Sequence, residues 1–146
     1  MSKAMENLNQ AMEKAVAGRP AAGGFPYLAE TLRRAGVVRN IWTLPACQGL
    51  YLTSFGPVVM QEAPLVTGAA DVPAFDENAL IQALRTDQAG ESTFPGFLAA
   101  SWRAGVVRYE VDFAARMVVY SGCNGEEYRE AYPFIDVGEE VGSIRP

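Results

Sequence analysis

Two arginines stand at the end of the same five residues. Arg39 closes Ala35-Gly36-Val37-Val38-Arg39, and 69 residues later Arg108 closes Ala104-Gly105-Val106-Val107-Arg108. Guanidiniums at equivalent places could flank a shared groove and hold a carboxylate or phosphate through charge-assisted hydrogen bonds. The competing reading pairs each with a cross-strand or local acid, for example Glu110 or Asp112, an arrangement that contributes little at a surface. Cys47 lies in a Leu-Pro-Ala-Cys-Gln turn and Cys123 in a Ser-Gly-Cys-Asn-Gly turn. Either is a candidate reactive thiol, which needs a nearby cation or helix start to lower its pKa. The plain alternative for Cys47 is a small buried residue at a hairpin end. Trp42, Tyr51, Tyr109 and Tyr120, with Trp102 and Tyr128, are candidates to line a ligand pocket, or else core residues whose polar tips need partners. Carboxylates at Asp71, Asp76, Glu77, Glu126, Glu127 and Glu130 could supply acid–base pairs, but no calcium-loop spacing is present and a solvated acidic face accounts for them. The chain has no histidine. That removes Ser-His and Cys-His nucleophile pairs, His-ligated zinc and the commonest general base.

The elements that position these residues come twice. Phe25-Pro26 precedes the first Ala-Gly-Val-Val-Arg stretch by the interval at which Phe94-Pro95 precedes the second, and Tyr51/Tyr120, Gly56/Gly125 and Pro64/Pro133 keep the 69-residue offset. Two copies imply a duplicated domain with an internal two-fold, since a solenoid needs about three. Residues 4–17 read as a helix, and a second opens at Phe25-Pro26 and stops at Gly36. Strands follow over 37–44, 48–53 and 58–60. In the second copy Asp76 caps a helix, with Phe75 and Leu80 as a hydrophobic staple, and Thr93 caps the next. Val107, Tyr109, Val111 and Phe113 alternate with Arg108, Glu110 and Asp112, the pattern of a half-buried antiparallel strand. Strands over 117–121 and 127–132 complete the unit. The same alternation places Val38, Asn40, Trp42 and Leu44 on the inner face, and Val37 and Val106 on the face of Arg39. The fold class is therefore α+β: two α-α-β-β-β units, about 5–66 and 75–136, forming one domain over 1–138 with a tail over 139–146. Helices are expected on one face of the antiparallel strands; pattern alone leaves open one sheet or two.

Composition bounds the function. The 146 residues are 49% hydrophobic and 20% charged, the profile of an ordinary globular domain. A net charge of −5 argues against a phosphate-tracking surface, so no nucleic acid is expected. No run approaches the ~18 apolar residues of a membrane span, and the start has no leader-like core. A cytoplasmic protein without a membrane, metal or cofactor is the expectation, its two cysteines unbridged.

Several stretches resemble the YbcV-like family of uncharacterised bacterial and prophage-borne proteins. They are 24–30 (Gly-Phe-Pro-Tyr-Leu-Ala-Glu), 42–48 (Trp-Thr-Leu-Pro-Ala-Cys-Gln), 83–90, Phe94-Pro95, 104–113 and Glu130-Ala-Tyr-Pro133. The resemblance implies an α+β fold and carries no catalytic set. The leading expectation is a non-enzymatic module that binds a protein partner, a second copy or an apolar small molecule. The alternatives are a histidine-independent enzyme using Cys47 or carboxylate and arginine groups, and a small-molecule-sensing module. On the face of Arg39 the first copy carries apolar Ile41 where the second carries Glu110. That face is a partner surface, or else is covered by the N-terminal helix.

Overall fold

Helix α1 (Lys3–Gly18) begins where the Ser2 hydroxyl accepts the Met5 amide at 3.1 Å. The computed structural model describes residues 2–138, so the tail expected over 139–146 lies outside the described residues. Helix α2 (Gly24–Arg34) leads through left-handed Gly36 into β1 (Val37–Thr43), β2 (Gln48–Thr53) and β3 (Gly56–Gln61). Asp76 then caps α3 (Glu77–Gln88), its carboxylate accepting the Ala79 amide at 3.0 Å. Thr93 caps α4 (Phe94–Arg103), accepting the Gly96 amide at 3.1 Å with Pro95 in the first turn. Strands β4 (Arg108–Asp112), β5 (Met117–Ser121) and β6 (Glu127–Ala131) follow.

The six strands make one open antiparallel sheet in the order β3-β2-β1-β4-β5-β6. Each half is a meander, and the halves join through β1 and β4, whose register centres on Ile41 opposite Glu110. The turns after β1 and β4 share a conformation. Leu44 and Phe113 plunge into the core, and Cys47 and Arg116 take left-handed backbone at φ of 51° and 53°. The third strands differ by one residue: Tyr51 faces Val58, whereas Tyr120 faces Tyr128, across the longer turn over 122–126.

Side chains alternate across the sheet. Inward-facing Trp42, Tyr51, Val58, Tyr109, Val111, Val118 and Tyr120 form a single core cluster with Leu8 of α1, Leu32 of α2, Leu80 of α3 and Leu98 of α4. All four helices thus serve one face. Helix α1 packs on α2 and β3 and contributes to that core, so it does not cover the opposite face.

The expected facing of the β1 start is wrong. Val37 is 2% exposed and Val38 53%, the reverse of the alternation read from sequence, because the β1–β2 register slips between Val37 and Arg39. In the second half Val106 is fully buried ahead of β4 rather than sharing the outer face of Arg108.

Candidate functional site

The candidate residues separate onto opposite faces of the sheet. On the inner face one cross-strand row runs Gly49, Trp42, Tyr109, Tyr120, Tyr128. Gly49 has a steric reason: a Cβ there would lie 2.9 Å from the Trp42 indole. The Trp42 ring meets Phe94 edge-on at 5.3 Å. Tyr109 stacks obliquely on Tyr120 at 5.7 Å, and Tyr120 on Tyr128 at 6.3 Å. Burial pushes the hydroxyl pKa of Tyr51 up, and those of Tyr109 and Tyr120 up strongly. This row is therefore packed core, with neutral phenols.

The row ends in a polar clamp that sequence reading left among the solvated acids. Tyr128 Oη donates to Glu130 Oε1 at 2.7 Å, while Arg85 and Gln88 of α3 donate to Glu130 Oε2 at 3.0 and 2.7 Å. Burial pushes the Glu130 carboxyl up, but the bonds from Arg85, Tyr128 and Gln88 outweigh it and hold the pKa below its ordinary value. The signal was the period-2 spacing of Tyr128 and Glu130, which puts both on the inner face.

Cys47 is 5% exposed beside Glu62, and burial, with that charge, raises its thiol pKa. A nucleophilic thiol needs the opposite shift. Cys123 is exposed on the turn before β6. Glu126 accepts the Asn124 amide in that turn and Asp76 caps α3, so both acids serve local backbone. Among the described residues no three His, Cys, Asp or Glu side chains gather as a metal site.

Arg39 and Arg108 both reach the outer face. Arg39 donates to Glu110 Oε2 at 2.8 Å and Asp112 Oδ2 at 3.1 Å across β1–β4, and Arg108 lies 3.8 Å from the other Glu110 oxygen. An incoming anion would have to displace carboxylates already seated on both guanidiniums. Beside this network β1–β3 present an apolar group, Ile41 and Leu50 half-buried, Leu52 36% exposed and Val59 53%, bordered on the same face by the polar row Thr43, Gln48 and Gln61. Toward β6 the surface dips into a shallow hollow of about 410 Å³ lined by Ala115, Met117 and Val119 together with Arg39, Glu110, Asp112 and Arg129. Among the described residues no helix covers this outer face.

No helix among the described residues is long and apolar enough to cross a membrane. Three proteins match the chain over 136 residues at 53% identity, covering 93% of it and 83% of their own length: uncharacterised proteins of Mycobacterium bovis AF2122/97 and of Mycobacterium tuberculosis strains CDC 1551 and H37Rv. No family model matches.

Proposed function

The chain belongs to one family with these uncharacterised mycobacterial proteins, whose names assign no activity, and we propose that it is a non-enzymatic cytoplasmic binding module acting through the outer sheet face. The observation that carries this reading is the uncovered apolar group of Ile41, Leu50, Leu52 and Val59 beside the arginine–carboxylate network. A contiguous apolar area rimmed by polar groups is the surface character of an interaction site. The Cys47 thiol and the Tyr109 and Tyr120 phenols are held protonated in the core, and the second thiol, Cys123, lies exposed on the turn before β6.

An internal duplication belongs to the same proposal. Its support is the shared element order, the left-handed residues Cys47 and Arg116, and the centre of the β1–β4 register. Ile41 and Glu110, opposite each other there, are separated by the 69 residues of the sequence repeat. On this reading the stretches that resemble the YbcV-like family, such as Trp42 to Gln48, are scaffold, and divergence between the two outer half-faces made the binding surface.

Photo-crosslinking side chains at Leu52, Val59 and, on the helix side, Gln82 test the reading in cells of the natural host. Adducts should form from the two sheet positions and not from Gln82. No adduct at either sheet position, or equal capture from all three, would refute it.

A further inference from the structure

The cross-strand rows of the outer face follow from the register. One reads Pro57, Leu52, Arg39, Asp112, Met117, Ala131, and the next Val59, Leu50, Ile41, Glu110, Val119, Arg129. A second copy laid face to face, with the dyad along the strands at the β1–β4 junction, sets each half-face over the other half of its partner. Leu50 then meets the partner's Val119, Leu52 the partner's Met117 and Pro57 the partner's Ala131, apolar on apolar. The same operation lays Ile41 on the partner's Glu110 and Val59 on the partner's Arg129, where only the aliphatic stems of the charged side chains give apolar contact. Arg39 meets the partner's Asp112, so the existing intramolecular pair gains an intermolecular counterpart. The apolar side chains of β2 stand opposite the hollow that Met117 and Val119 line together with Arg39, Glu110, Asp112 and Arg129.

Charge favours this face for the approach of a copy. The chain carries a net charge of −5, and two such chains repel. The outer sheet face holds Arg39, Arg108 and Arg129 against Glu110, Asp112 and Glu127, and is neutral. The excess acid lies elsewhere.

We infer that the outer sheet face is the interface of an isologous homodimer, in which the Leu50–Leu52 side of each copy seats in the Met117–Val119 hollow of the other. This inference rests on the binding reading above and names its occupant. A two-fold pairing of one face with itself closes, so it stops at two chains.

Sedimentation equilibrium of the full chain, from micromolar to millimolar concentration, tests it. The expected species has twice the 15.8 kDa mass of the chain. Leu50→Arg and Val119→Arg, both at partly exposed positions that leave the core intact, should each raise the dissociation constant by about 100-fold or more, since each buries an unpaired charge twice. Gln82→Arg, on the helix side, should leave it unchanged; far-UV circular dichroism verifies that each variant is folded. A chain that stays monomeric at millimolar concentration overturns the second-copy inference. If the Leu52 crosslinker then still captures another protein, the binding reading survives without it. A dimer that persists in both sheet-face variants overturns the assignment of this face.

Discussion

Glu30 is the most consequential carboxylate in the first half, though it belongs to no site. It is 4% exposed on α2 and accepts from Arg33 at 2.9 and 2.7 Å and from Arg34 at 3.3 Å. The Arg33 hydrogen bonds hold its pKa below the ordinary 4.5 in spite of burial. Glu30→Gln should cost about 1.5–3 kcal/mol at neutral pH, the range for a hydrogen bond to a charged group. A depressed folded pKa contributes stability that is intact above about pH 4.5 and lost as pH falls through the lowered value. Urea titrations at pH 7 and pH 3 should therefore show the gap between wild type and variant closing in acid; an equal gap at both would refute the assignment. The inner tyrosines act in the opposite window. Burial raises the hydroxyl pKa of Tyr109 and Tyr120 well above 10, so their contribution is complete below about pH 10 and declines as pH rises toward the folded values. Absorbance at 295 nm should show their ionisation only together with loss of the far-UV spectrum. Full ionisation of all six tyrosines in a still-folded chain would contradict the buried row.

The two Ala-Gly-Val-Val-Arg segments look alike in sequence and sit in different surroundings. Gly36 and Gly105 both follow a helix with left-handed backbone, at φ of 100° and 89°. A side chain at Gly36 would meet the movable hydroxyl of Ser54, whereas one at Gly105 would lie 2.5 Å from Phe75 Cα and 2.6 Å from the Ala74 carbonyl. Gly36→Ala should therefore cost about 1–2 kcal/mol for backbone strain alone. Gly105→Ala should cost about 2–5 kcal/mol, since the rigid entry to α3 must also shift. Equal losses in chemical denaturation would show that the Ala74–Phe75 contact is not rigid. This contrast marks how far the sequence could be read. Caps at Asp76 and Thr93, glycine stops and period-2 strands depend on neighbours in the chain, and they placed all ten elements close to their observed bounds. The slip that turns Val37 inward depends on pairing with β2, and the buried Glu30 and half-buried Glu130 are matched by arginines, from α2 itself for Glu30 and from α3 for Glu130. Arg39 and Arg108 could be placed on one face from alternation, and Glu110 two residues along β4 was legible as a local acid for Arg108, but the capture of Arg39 by Glu110 and Asp112 required the β1–β4 register.

At the scale of the molecule the question left open by pattern was whether six strands make one sheet or two, and the answer governs how the chain unfolds. Because β1 pairs with β4, each half supplies the other's central strand neighbour, and the inner face is one continuous surface. The core joins Leu8 and Leu44 of the first half with Leu80, Leu98 and Phe113 of the second. Parting the halves would strip hydrogen bonds from β1 and β4 and expose the aromatic row, so neither half has an independent core. The chain should then unfold in one transition, the behaviour of most single domains of this size. Each half carries its own reporter: Trp42 on β1 and Trp102 on α4. In Trp102→Phe the fluorescence of Trp42 should lose its native signal at the same urea concentration as the far-UV spectrum of that variant. In Trp42→Phe the remaining Trp102 should do the same. Comparing probes within each variant removes any difference in stability between the variants. Separate midpoints for fluorescence and circular dichroism would mean that one half survives the other, and that the shared sheet does not couple them. If the chain dimerises through its outer face, the common midpoint should also rise with protein concentration, because association stabilises only the folded form.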